Sequence, residues 1–225
     1  MTSQHHEKLR LYSYWRSSAS YRVRIALNLK RLAYEIVPVH LLEGGGAQHA
    51  LEYRAIQPQA LVPAFLHGHR IIRQSMAIIE YIDETWPDPP LLPATARDRA
   101  RARAVAQAIA CDIHPLANLR VLCYFENEWN VPLPEREEWI RHWIREGLAA
   151  VENLLSENLS TGTFCDGEQP GLADCCLIPQ VFNARRFGVG LEAFATIRRI
   201  HDACMKLPAF DAARPERQPD APAAG

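Results

Sequence analysis

The chain has 225 residues, enough to bury a sizeable core in one large domain or two small ones, and its 25 Lys+Arg against 26 Asp+Glu leave it almost neutral. That balance, with no basic run interleaved with aromatics, argues against a nucleic-acid partner, and no apolar stretch reaches membrane-spanning length. The polar opening Met1 to Lys8 lacks the apolar centre of a signal peptide, so a cytoplasmic protein is expected.

Leu9 to Trp15 reads as a buried strand, and Val23 to Leu29 has apolar spacing suited to one face of a helix. Ala33 to Val39 reads as a second strand, so this strand-helix-strand unit implies a right-handed parallel crossover. Gln48 to Ala55 follows the flexible Glu43-Gly44-Gly45-Gly46 loop as a short helix or turn. Pro63 precedes the apolar run Ala64-Phe65-Leu66, a position where a cis peptide could turn the chain and leave the Val62 backbone groups open to a ligand. His67-Gly68-His69-Arg70 reads as a hairpin turn leading to Ile71-Ile72, and Gln74-Ser75 opens a helix over Met76 to Thr85. This order predicts a thioredoxin-like α/β domain over 8–87.

Pro87 to Pro93 is too proline-rich to continue a helix, which makes 88–94 a linker. An all-helical domain is expected over 95–212. Its parts are a long helix from Ala96 to Phe125 bent near Pro115, a second over Glu135 to Leu159, one over Cys175 to Arg186 and one over Ala193 to Lys206. Asp174 is expected to cap the third of these, with Gly171 standing where a Ser or Thr is usual. The Pro- and Ala-rich end, 213–225, is expected to be a disordered tail.

Cys111, Cys123, Cys165, Cys175, Cys176 and Cys204 form no C-x-x-C pair and no zinc-like spacing, so no metal is expected and the thiols read as small apolar core residues.

The chemistry concentrates at Arg16-Ser17-Ser18-Ala19-Ser20-Tyr21, between the first strand and the first helix. The first amides of a helix have no internal partner and the macrodipole adds partial positive charge, so an anion placed there is stabilised. Serine adds a hydroxyl donor. The same serines also suit a plain N-cap, and the pattern alone leaves both readings open. Ser75 stands at a second helix start.

Ser17-Ser18-Ala19-Ser20-Tyr21-Arg22-Val23-Arg24-Ile25-Ala26-Leu27 resembles the marker stretch of the zeta-class glutathione transferases, the family of maleylacetoacetate and maleylpyruvate isomerases. Val62-Pro63, Gln74-Ser75-Met76-Ala77-Ile78, Cys111 to Asn118 and Leu172-Ala173-Asp174 add to the likeness, which spans Leu9 to about Phe210. The resemblance implies a thioredoxin-like domain plus an all-α domain, with glutathione as cofactor and a homodimer as the assembly. It implies that Val62 pairs its backbone with the cysteinyl part of glutathione and that Gln74 and Ser75 hold the γ-glutamyl end. Ser17, with Ser18 beside it, would face the sulfur. Lowering a thiol pKa by about two units is worth roughly 2.7 kcal/mol, within reach of a helix end and one hydroxyl donor.

The implied reaction is cis-trans isomerisation of a small-molecule diacid by reversible thiolate addition to the double bond. Maleylacetoacetate is the first expectation, in phenylalanine and tyrosine breakdown, with maleylpyruvate and α-halo acids as alternatives. Ala19 stands where many members carry a cysteine, which excludes any mechanism needing an enzyme thiol there. Arg16, Arg120, Arg185 and Arg186 are candidates for the substrate carboxylates. His114 suits either a structural bend or a glutathione contact, and Asn118 is a further candidate for that pocket. A non-catalytic binding module of the same fold is the contrasting class, and a glutaredoxin-like oxidoreductase fits poorly without a cysteine between Trp15 and Tyr21.

Overall fold

β1 (Leu9–Ser13) alternates buried and half-buried residues, as a strand inside a sheet covered more fully on one face should. In the computed structural model, which describes residues 7–222, β1 lies at the centre of a four-stranded sheet of order β2-β1-β3-β4. It runs parallel to β2 (Glu35–Pro38), with Leu11 opposite Ile36, and antiparallel to β3 (Ala64–His67), with Leu11 opposite Phe65. β3 then pairs antiparallel with β4 (Arg70–Arg73). Gly68 takes φ +59 in the connecting turn, a conformation in which a side chain would be strained. The thioredoxin-like arrangement expected from the strand and helix order is therefore present.

Three helices complete the order: α1 (Ser18–Leu29), α2 (Leu51–Ile56) and α3 (Ser75–Thr85). α1 and α3 bury Val23, Ile25, Leu27, Ile78, Ile79 and Ile82. Their far ends are joined by Lys30, whose buried ammonium donates to Asp83 Oδ1 at 2.6 Å, Trp86 O at 2.6 Å and Pro89 O at 2.5 Å. The Val62-Pro63 bond is cis, as is Asp88-Pro89.

The chain divides into two compact units, one of residues 7–90 with 207–222, the other Leu91–Lys206. This corrects two boundaries. The helical unit ends at Lys206 rather than 212, and the tail is folded through Pro222 rather than disordered. α9 (Pro208–Ala212) is held to α1 by Asn28 Nδ2, which donates to Ala209 O at 2.9 Å. Beyond it Ala213 and Pro215 are buried, and Gln218 turns the chain back by donating to Ala212 O and Arg214 O. Composition misled here because prolines that disfavour helix still pack against an existing surface. The last three residues of the expected tail lie outside the described range.

The second unit is helical. The expected single bent helix over Ala96 to Phe125 is instead α4 (Ala96–Gln107), a π-helical turn (Ala108–Ile113), a 3-10 turn (His114–Ala117) and α5 (Leu119–Asn127). Pro115 removes an amide and Asn118 caps the next helix, so the break is sharper than a bend. α6 (Leu133–Ser156) buries Ile140, Ile144, Leu148, Val151 and Leu155, a helical stripe. Gly147 on α6 lets Ile113 approach so closely that an added Cβ would lie 2.3 Å from its Cγ1. α7 (Leu172–Arg186) is buried along most of its length and packs on α8 (Ala195–Cys204). Asp174 supplies the carboxylate arm of a cap: Oδ2 accepts from Gly171 N at 2.9 Å and Oδ1 from Cys165 N at 3.0 Å.

No helix among the described residues is long and apolar enough to cross a membrane. Among the same residues no group of His, Cys, Asp and Glu is placed to hold a metal ion.

Candidate active site

Ser17 is the N-cap of α1, with φ −68 and ψ 118, and its hydroxyl oxygen accepts from Ser20 N at 3.2 Å. A hydroxyl has one proton and two lone pairs, so accepting this bond leaves the O–H free to donate. The two readings open in the sequence are thus compatible: one oxygen caps the helix and still has a proton to donate. Ser18 is the first helical residue and is buried, which leaves Ser17 the more accessible hydroxyl. Arg16 is half-buried, its guanidinium carbon 5.5 Å from the centre of the Trp15 ring.

The turn before Ser17 is tightly held. Ser17 N donates to Tyr14 O at 3.0 Å. Arg24, fully buried on α1, donates through Nη2 to Trp15 O at 3.0 Å, and through Nη1 to Ser13 Oγ at 3.1 Å and Tyr14 O at 3.4 Å. Burial pushes its pKa down to about 10, which still leaves it charged at neutral pH. Tyr14 itself lies in an apolar cluster with Val39, Tyr53 and Val62.

That cluster brings Val62 to the serine turn. Among the described residues neither Val62 backbone group makes a hydrogen bond, so both are open to an extended ligand chain. At the second helix start Ser75 is buried, and its Oγ accepts from Arg22 Nη1 at 3.2 Å. Gln74 occupies the cap position with φ 70, in the left-handed region that only glycine enters freely, and its Nε2 donates to Gln59 Oε1 at 2.7 Å. Ser17, Val62 and Ser75 are therefore set by one framework of β1, α1 and α3.

The second unit holds the other candidates. His114 opens the 3-10 turn and is half-buried. Asn118 caps α5, its Oδ1 accepting from Arg120 N at 3.2 Å, while the Arg120 side chain is exposed. Arg185 Nη1 lies 3.3 Å from His201 Nε2, and Arg186 stacks 4.7 Å over the Phe187 ring at the end of α7. The structure does not gather Arg185 and Arg186 with His114, Asn118 and Arg120 on one element: the first pair closes α7, the others flank the start of α5.

Residues 11–90 match the N-terminal domain of glutathione S-transferase and residues 134–213 its C-terminal domain. The chain belongs to the glutathione S-transferase family. It is 46% identical over 211 residues to a probable maleylacetoacetate isomerase of Vibrio cholerae, covering 94% of this chain and 97% of that one. Among solved structures it resembles a bacterial zeta-class glutathione S-transferase, the holo form of a maleylpyruvate isomerase, with TM-score 0.91 and 44% identity over 95% of this chain and 100% of the other. A maleylacetoacetate isomerase of Anaeromyxobacter dehalogenans with glutathione in its active site matches with TM-score 0.85 and 45% identity, covering 96% and 98%. Within the family the chain is of the zeta class.

Sequence reading missed three residues that shape this transferase's serine turn: Arg22, Arg24 and Asp220. Arg22 and Arg24 left a signal, two charges within a helix whose residues from Ser20 to Leu27 are all buried. Cations with no exposed face must find internal acceptors. Asp220 left none, because its partner is distant in sequence and the stretch around it reads as polar coil.

Proposed function

We propose that this zeta-class transferase binds glutathione through Ser17, Val62, Gln74 and Ser75 and isomerises maleylacetoacetate to fumarylacetoacetate. The observation that carries the reading is the Ser17 hydroxyl, committed as an acceptor to Ser20 N yet free as a donor at the mouth of a helix. The residues present fit a γ-glutamyl-cysteinyl peptide. An extended chain can pair with the open Val62 backbone, and a carboxylate suits the start of α3, where Arg22 adds positive charge beneath Ser75. When bound, glutathione would supply the thiolate nucleophile for reversible addition to the cis double bond.

The chain's residues make that possible in two ways. Ser17 donates to the sulfur and, with the α1 amides, favours its ionised form; Ser18 lies in the same helix start. Arg16 and Arg120 are assigned to the two substrate carboxylates and to the negative oxygen that develops during addition. Arg185 and Arg186, engaged with His201 and Phe187, are weaker candidates for the same work. His114 and Asn118 are assigned to the neighbourhood of glutathione, Asn118 through its amide nitrogen because its oxygen already caps α5.

Six free thiols suit the reducing cytoplasm, and a homodimer is the assembly we expect, to be read by light scattering. The function is tested by following the ultraviolet absorbance of maleylacetoacetate and of maleylpyruvate, each with and without glutathione, and identifying products as cis or trans. Glutathione-dependent turnover that is faster on maleylacetoacetate and lost in Ser17→Ala supports the reading. Faster turnover of maleylpyruvate replaces the substrate, and no isomerisation of either acid overturns the reaction.

A further inference from the structure

The folded tail reaches the serine turn. Asp220 Oδ2 accepts a hydrogen bond from Trp15 N at 2.8 Å, across 205 residues of sequence. Its other oxygen, Oδ1, is buried with no hydrogen-bond partner among the described residues. The carboxylate is also close enough to Arg24 to help hold that guanidinium in its charged form. Arg24 in turn ties the two segments together, since its Nε donates to Ala213 O at 3.0 Å while its Nη groups hold Tyr14 O and Trp15 O.

Both backbone polar groups of Trp15 are therefore held by side chains from outside the turn. The N–H is held by the tail, and the C=O by a residue that the tail also grips. Ser17 N bonds Tyr14 O, so the N-cap inherits its position from this pair of anchors. The Asp220 end of the tail lies beyond residue 213, where the match to the family's C-terminal domain stops. A buried carboxylate oxygen without a partner carries a cost in isolation, and a structural tail would satisfy Trp15 N with a backbone carbonyl at no such cost. A charge placed at this position suits a role at the turn.

We propose that Asp220 is a positioning residue: through the Trp15 amide it fixes the turn that aims the Ser17 hydroxyl at the glutathione sulfur. The tail residues 213–220 then act as a latch on the serine turn of their own unit. The second half of this inference rests on the glutathione reading above; the latch does not.

The test compares the full-length protein with Asp220→Ala and with Asp220→Asn, which keeps an acceptor oxygen. Amide hydrogen exchange over residues 14–20 reads the latch without any ligand, with the β3–β4 hairpin as internal control. The alanine variant is expected to exchange at least tenfold faster over 14–20 with the hairpin unchanged, and the asparagine variant to recover most of the protection. With glutathione, the alanine variant is expected to raise KM for glutathione several-fold and to move the apparent pKa of the bound thiol, read from thiolate absorbance near 240 nm, to higher pH. Unchanged exchange over 14–20 overturns the latch. Faster exchange with unchanged glutathione KM and thiol pKa overturns the positioning role. If the unaltered protein neither binds glutathione nor turns over, the site reading and the positioning role fall together, and exchange alone decides the latch.

Discussion

Arg22 Nη1 donates to Ser75 Oγ at 3.2 Å, so the buried side of α1 supports the first residue of α3. A guanidinium only 2% exposed is costly to desolvate, and its position beneath a helix start directs its charge toward any carboxylate bound there. Arg22→Met is therefore expected to raise KM for glutathione by about tenfold, with a smaller change in kcat, because in the proposed site the charge would act on the γ-glutamyl end rather than on the sulfur. Steady-state kinetics with varied glutathione check this.

In the proposed site Ser17 would serve stability and catalysis through different halves of one hydroxyl. A glycine at an N-cap costs only a few tenths of a kcal/mol relative to serine, whereas alanine costs about 1. Ser17→Gly is thus expected to unfold within about 0.5 kcal/mol of the unaltered protein and yet lose on the order of 10²-fold in kcat/KM. Losing a donor to the thiolate raises the sulfur's pKa. The variant's rate should therefore climb to higher pH before levelling, so that the deficit shrinks as pH rises. Urea titrations and a pH-rate profile separate the two halves.

Gly147 and Ile113 share a space too small for one more carbon. Gly147→Ala should improve local helix propensity by under about 1 kcal/mol, but a Cβ 2.3 Å from Ile113 Cγ1 forces displacement, and overpacking typically costs about 1–3 kcal/mol. Net destabilisation is expected, with part of it relieved by adding Ile113→Ala. Thermal unfolding of the single and double variants measures both.

Asp174 is fully buried, and burial raises its pKa above the ordinary 3.8 even though Gly171 N and Cys165 N both favour the charged form. A carboxyl that binds its proton more tightly when folded adds stability as pH falls through its folded pKa, and the gain levels off below the unfolded value. Asp174→Asn removes this dependence and turns one acceptor into a donor facing an N–H. The variant is expected to be less stable by about 2–4 kcal/mol, and its deficit should be wider near pH 4 than at pH 7. Denaturant titrations at the two pH values provide the check.

The strands and helices of the first unit were legible because their apolar periods are regular and the hairpin turn is marked by Gly68. Ser17 and Ser75 were legible because each stands where a helix must begin. The break between Gln107 and Leu119 was not, since Ala108 to Ile113 contains no Gly or Pro to mark the π turn and Pro115 alone reads as a bend. Nor was the folded tail, because Arg24 meets Ala213 O across 189 residues and no local pattern announces a contact of that span.

The first unit is discontinuous in the chain. A ribosome completes residues 7–90 long before it delivers 207–222, so during synthesis the Nε of Arg24 must wait for the carbonyl of Ala213, and the amide of Trp15 for the carboxylate of Asp220. The sheet can form early, but the turn that carries Ser17 acquires its last supports only after residues 213–220 have been made. A nascent chain would thus reach its fold some seconds before it reaches its finished site.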